Sequence, residues 1–167
     1  IGETAEEKNF GISAEVLRTQ LKVGFHDVPV SQVPNIWVAY EPVWSIGVNG
    51  TPASADYAEE MHKVIKECLQ EIFGDASKDI PVLYGGSVNP GNANELIVQP
   101  SIDGLFTGRA AWQADKFDKL IRDAKSTYEA AQAKVLLRLL TYIIYLFQKK
   151  SRFTGMCETG LLPLFPY

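Results

Sequence analysis

The sequence predicts an α/β fold built on a parallel sheet, and three observations carry that prediction. From Thr4 to Ala124 the segments alternate as helix, strand, helix, strand, helix, strand, helix, the rhythm of strands joined by helical crossovers. Segments 36–40 and 80–84 are near-continuous apolar runs of strand length, which suits strands buried on both faces. The glycines and unusual polar residues fall in the three loops that leave the strands, the face on which α/β folds bind ligands.

Ile1-Gly2 reads as the tail of a further strand, and the chain opens without a methionine, so upstream sequence is expected. Thr4 and Glu7 have the spacing of a capping box and start a helix. Gly11 interrupts it and Ser13 caps it again. Val16, Leu17, Leu21 and Val23 then give an apolar stripe as far as Gly24. Segment 25–34 is a loop punctuated by Pro29 and Pro34. Strand 36–40 runs into a long loop, 42–52, containing Gly47 and Asn49-Gly50. Ser54 caps the next helix, whose inward residues are Tyr57, Met61, Val64, Ile65, Cys68, Leu69 and Ile72, and Gly74 ends it. Strand 80–84 leads directly into Gly85-Gly86-Ser87, a short helix covers 92–98, and strand 102–107 ends in Gly108-Arg109. A helix over 114–124 turns Phe117, Leu120 and Ile121 inward. Three strands and a stub are too few to close a barrel.

From Lys125 the character changes. Segment 135–147 is apolar nearly all round and interrupted by Arg138, and a basic patch, 148–152, follows. It is short of the ~20 residues of a membrane span. The readings are a helix docked on exposed core, an interfacial membrane helix, or a non-native extension. Segment 151–167 lacks periodicity and is expected to be irregular.

Composition narrows the function. With 167 residues, 46% hydrophobic and 22% charged, the chain fits one globular domain with a real core. A net charge of −4 and the absence of a basic stripe argue against nucleic acid as a partner. Cys68 and Cys157 lie far apart, which argues against a disulfide framework and for a reducing, cytoplasmic setting. No cluster has metal-ligand spacing, and no nucleophile triad, Walker loop or dinucleotide loop is present.

Glu41 stands directly after the apolar run of the first strand. A carboxylate there is partly desolvated, which suits a general base, although a salt bridge at a strand end is the commoner account of such spacing. Gly47 could bring its N–H close to an anion, or could be an ordinary turn glycine. Gly85-Gly86-Ser87 and Gly108-Arg109 occupy equivalent loops of successive strand–helix units, where backbone N–H groups form a ready anion site. Each glycine alone is explained by packing; the pair favours phosphate. His62, mid-helix, reads as a packing residue, and His26 lies in a loop.

IGET at 1–4, YEPVWSIG at 40–47, YGGSV at 84–88 and DGLFTGRAAW at 103–112 occur in the order and spacing of the C-terminal half of triosephosphate isomerase, and the sequence over residues 1–124 resembles that family. The resemblance implies a partial (βα)8 TIM barrel, from the end of strand 5 through helix 8, with an extra C-terminal helix. The domains it implies are 1–124 and a tail, 125–167, without family counterpart. It implies a cytoplasmic homodimer of glycolysis and gluconeogenesis. Its expected reaction interconverts glyceraldehyde 3-phosphate and dihydroxyacetone phosphate through an enediol, with no metal or organic cofactor. By motif, Glu41 matches the catalytic base, the loop 42–51 a mobile lid, and Gly47, Ser87, Gly108 and Arg109 the positions that hold the substrate phosphate.

Besides the tail without counterpart, two departures qualify that implication. The family's lysine and electrophilic histidine belong to the N-terminal half, and His26 and His62 do not match them, so negligible activity is expected of these 167 residues alone. Arg109 stands where the family usually has a second glycine. With Ser45 and the loop tip Val48-Asn49-Gly50, it suggests a divergent branch acting on a four-carbon ketose phosphate such as erythrulose phosphate. A non-catalytic half-barrel that self-associates through its open edges is the other class of function considered.

Overall fold

The computed structural model describes residues 1–47 and 50–158, with side chains to residue 143. The chain divides into two compact units, Ile1–Tyr128 and Glu129–Tyr167. The first holds helices α1 (Ala5–Asn9), α2 (Ser13–Gly24), α3 (Ala55–Phe73) and α4 (Ala93–Ile97). It also holds strands β1 (Val38–Tyr40), β2 (Val82–Tyr84) and β3 (Gly104–Leu105). The last helix, α5 (Ala114–Glu158), contributes to both units.

The strands form one parallel sheet in the order β1-β2-β3, as the alternation predicts. Val38, Ala39 and Tyr40 lie opposite Val82, Leu83 and Tyr84, and Leu83 and Tyr84 opposite Gly104 and Leu105. Ile1 runs beside β1: its nitrogen donates to the Ala39 carbonyl (2.9 Å), and the Glu41 amide donates to the Ile1 carbonyl (2.7 Å). The expected strand stub is therefore present as bonding, though too short to be a strand.

Burial on both strand faces is not what the structure shows. Val38, Tyr40, Val82 and Tyr84 are buried, whereas Ala39 and Leu83 between them are only half-buried. Successive side chains of a strand point to opposite faces. Here the buried set shares the core with Leu17 and Leu21 of α2 and Met61, Ile65, Cys68, Leu69 and Phe73 of α3, and the other face is open. The strands are also shorter than the apolar runs, with Trp37 70% exposed.

Local chemistry sets the helix ends. Thr4 and Glu7 form the predicted capping box, and the Ser54 side chain accepts from the Tyr57 amide. Ser13 does not cap α2: Ile12 occupies that position, and the Ser13 hydroxyl pairs instead with that of Tyr57 (2.9 Å). Val23 is exposed and lies off the apolar stripe. In α5, Leu120 and Ala124 are buried while Ile121 is exposed.

The tail differs from the sequence expectation. α5 does not end near Ala124 but continues as one helix of 45 residues. Segment 151–158, expected to be irregular, is helical, and 159–167 lie outside the described residues. Val135, Leu136, Leu137, Leu139, Leu140, Tyr142 and Ile143 are exposed. Among the described residues no helix is long and apolar enough to cross a membrane.

Two polar residues of α3 tie it to the turn before β3. The buried Glu59 carboxylate accepts from the Ser101 amide and hydroxyl, both at 2.9 Å. His62, fully buried between the rings of Tyr40 and Tyr84, donates from Nδ1 to the Ser101 carbonyl (3.2 Å). Its Nε2 has no partner among the described residues. Burial pulls its pKa down to about 4, against smaller raising effects from the Ser101 carbonyl and Asp103. The unfolded chain thus takes up a proton near pH 6.5 that the folded chain refuses until about pH 4. Stability from this residue is complete above pH 6.5 and is lost as pH falls toward 4, by about 3 kcal/mol. Urea unfolding of the protein and of His62→Phe at pH 7 and pH 4.5 should show a smaller loss in the variant; equal losses would refute this assignment.

Candidate active site

The site is built on strand alternation. Tyr40, the last residue of β1, is buried, so Glu41 turns to the opposite, open side. Glu41 is half-buried. Among the described residues its carboxylate has no cationic partner and accepts no hydrogen bond. The salt bridge that spacing alone favoured is therefore not formed.

The segment on either side of Glu41 is anchored by a carboxylate the sequence did not single out. Glu3 is fully buried and accepts from the Tyr40 hydroxyl (3.1 Å), the Trp44 indole N–H (2.8 Å) and the Tyr57 hydroxyl (2.8 Å). Its carbonyl accepts from the Val43 amide (2.9 Å). Burial, reinforced by the Glu3 charge, pushes the Tyr57 phenol up to about 12 and the Tyr40 phenol higher, so both remain donors. The Lys8 ammonium sits 3.6 Å from the centre of the Trp44 ring, a cation–π contact. The IGET motif at 1–4, which leads into the Thr4–Glu7 capping box, was the available signal for Glu3.

Gly85 and Gly86 are needed for close approach. A Cβ on Gly85 would stand 2.8 Å from Glu41 Oε1. One on Gly86 would collide with the Tyr84 hydroxyl and lie 2.5 Å from Ser45 Oγ. Gly47 is glycine for a different reason: its φ is +88°, and nothing stands within 4 Å of a Cβ there. The Ser87 carbonyl accepts from Asn92 Nδ2 (2.9 Å), and the Asn89 amide donates to Asn92 Oδ1 (2.8 Å), which fixes the turn before α4.

These loops enclose a cleft of about 640 Å³ at the C-terminal ends of the strands. Glu41, Gly47, Ser87, Gly108 and Arg109, the five residues expected from the sequence, all line it. So do Phe106 and Asn89, which the sequence reading missed, although Asn89-Pro90 carries a turn signal. Among the described residues the amides of Gly86, Ser87 and Gly108 have no acceptor, so three donors are free at the cleft. Arg109 donates from its guanidinium to the Gly47 carbonyl (2.7 Å). Val48 and Asn49 of the expected lid tip lie outside the described residues. His26 is exposed and His62 is in the core; neither lines the cleft. No metal-holding group of His, Cys, Asp or Glu occurs among the described residues.

A parallel sheet with an unpaired carboxylate and free amides at its C-terminal ends defines an α/β protein with a cleft suited to a small anion. The chain belongs to the triosephosphate isomerase family, whose model matches residues 1–124. It is 53% identical over 119 residues to L-erythrulose-1-phosphate isomerase of Rhizobium etli, covering 70% of this chain and 43% of that protein. It is 46% identical over 128 residues to the protein of that name from Rhizobium meliloti, covering 75% and 49%. A triosephosphate isomerase from Endomicrobium trichonymphae is 36% identical over 125 residues, covering 75% and 50%. The chain spans about half the length of the curated relatives it matches.

The Gly86 contact is testable directly. Gly86→Ala forces a methyl group onto the buried Tyr84 hydroxyl and should cost about 1–3 kcal/mol of stability, measured by urea unfolding. A variant as stable as the parent would show that the close approach does not constrain this turn.

Proposed function

We propose that the chain supplies the base and the phosphate-holding loops of a sugar-phosphate isomerase. The supporting observation is the Glu41 carboxylate, unpaired among the described residues, in the same cleft as the free amides of Gly86, Ser87 and Gly108. The amides and Gly47 hold the substrate phosphate. Glu41 takes a proton from the carbon next to the carbonyl, giving an enediol, and returns it to the neighbouring carbon. The reaction is internal to the substrate, with no net redox change, and the proposed mechanism uses no metal or organic cofactor. The intact protein acts as a homodimer.

The four-carbon substrate is the preferred reading over the three-carbon one. Relatives 45–53% identical to this chain over aligned stretches of 119–128 residues carry the name L-erythrulose-1-phosphate isomerase, while the triosephosphate isomerase stands at 36%. Arg109 and Ser45, which depart from the triosephosphate pattern, both lie in or beside the cleft.

Enolisation also needs a donor for the developing oxyanion. The described residues offer no histidine or lysine at the cleft, so the 167 residues alone should turn over neither substrate. With the N-terminal half of a family barrel co-expressed, L-erythrulose 1-phosphate isomerisation should appear, and Glu41→Gln should lower its rate by at least about 10³-fold. Turnover by the lone chain that survives Glu41→Gln would sink the proposal; preference for dihydroxyacetone phosphate would restore the three-carbon reading.

A further inference from the structure

We infer that Arg109 is a positioning residue, whose side chain ties the loop after β1 to the loop after β3 and holds the anion end of the cleft in shape. The inference deepens the phosphate reading above and rests on it for the identity of the anion. Four observations carry it.

The guanidinium of Arg109 donates to the Gly47 carbonyl at 2.7 Å across 62 positions of sequence. Among the described residues this is the only hydrogen bond joining those two loops. Gly47 itself has little packing: Gly47 and Ile46 are both exposed, and nothing lies within 4 Å of a Cβ at position 47, although the neighbouring Ser45 is buried and Gly50 lies against the Ser45–Ile46 backbone. The other donor to the same carbonyl, the Gly50 amide, stands at 3.5 Å, beyond the usual length of such a bond. Arg109 therefore supplies the shorter of the two hydrogen bonds to the Gly47 carbonyl and the only one that reaches it from another loop.

Arg109 also carries the only positive charge among the residues lining the cleft. A guanidinium presents five N–H donors in a planar fork. One is spent on Gly47, and the remainder are available to an anion held by the neighbouring amides. A single side chain can then bond the loop and the anion together. Anion affinity and the order of the loop after β1 are coupled through it. A glycine at position 109 could offer an amide but neither the charge nor the bridge. A lysine offers the charge as a point donor without the fork.

The experiment uses the 167-residue protein, with amide hydrogen exchange of peptides from the loop after β1 and titration with inorganic phosphate. In Arg109→Gly, exchange in that loop should rise at least five-fold without ligand, with α3 peptides unchanged, and phosphate affinity should fall at least ten-fold. Arg109→Lys should recover phosphate affinity to within about three-fold of the parent but lose the extra loop protection that phosphate confers on it. If the parent binds phosphate and Arg109→Gly changes neither loop exchange nor affinity, the positioning role is refuted while the phosphate site stands. If the parent binds no phosphate, the phosphate reading fails, and loop exchange in Arg109→Gly alone decides the tether: faster exchange supports it and unchanged exchange overturns it.

Discussion

The buried carboxylate of Glu3 is the constraint on which the rest of the site depends. An ionisable group removed from water is tolerated only when its lone pairs are filled, and here three aromatic donors fill them: Tyr40, Trp44 and Tyr57. Those donors come from the end of β1, the turn after it and the start of α3. Glu3 itself lies just before α1. One carboxylate thereby fixes four pieces of chain against each other. Glu41 sits between two of its donors, so its place at the strand end follows from the Glu3 network as much as from β1.

The cleft follows from the sheet. Helices α2 and α3 cover one face, which takes the large side chains Tyr40, Tyr84, Val38 and Val82. The next residue of β1 and of β2 then emerges on the other side. These are Glu41 and Gly85, brought so close that a Cβ at position 85 would lie 2.8 Å from Glu41 Oε1. The polar chemistry is thus aligned by the same alternation that builds the core. His62 belongs to that core, wedged between Tyr40 and Tyr84 with a neutral ring, and has no part in the cleft.

Much of this was legible in the sequence where local chemistry decides. The Thr4–Glu7 capping box, the Ser54 cap and the order of strands and helices are short-range patterns, and they appear as expected. The position of Glu41 after a strand was equally readable, as was its grouping with two glycine loops. Long-range pairing was not. Nothing local tells Ser13 to bond Tyr57 rather than cap α2, or shows that Glu3 is the hub of a buried network. The apolar runs also overstated burial, because periodicity cannot say whether a second layer covers the other strand face. The length of α5 was not legible either: no glycine or proline interrupts 114–154, Gly155 does not end the helix, and its apolar residues from Val135 to Ile143 stay exposed.

The pairing of charges in the cleft bears on why Arg109 bonds a carbonyl. Glu41 and Arg109 line the same 640 Å³ space, and an ion pair between them would be the simplest outcome for two isolated opposite charges. Such a pair would stabilise the carboxylate as an anion and make it a poorer proton acceptor. It would also spend the one cation lining the cleft. Instead the guanidinium is engaged by the neutral Gly47 carbonyl, which keeps its full charge for an anion and leaves the carboxylate without a counter-charge. On the function proposed above, this arrangement leaves the acid side chain for proton transfer and the basic one for phosphate.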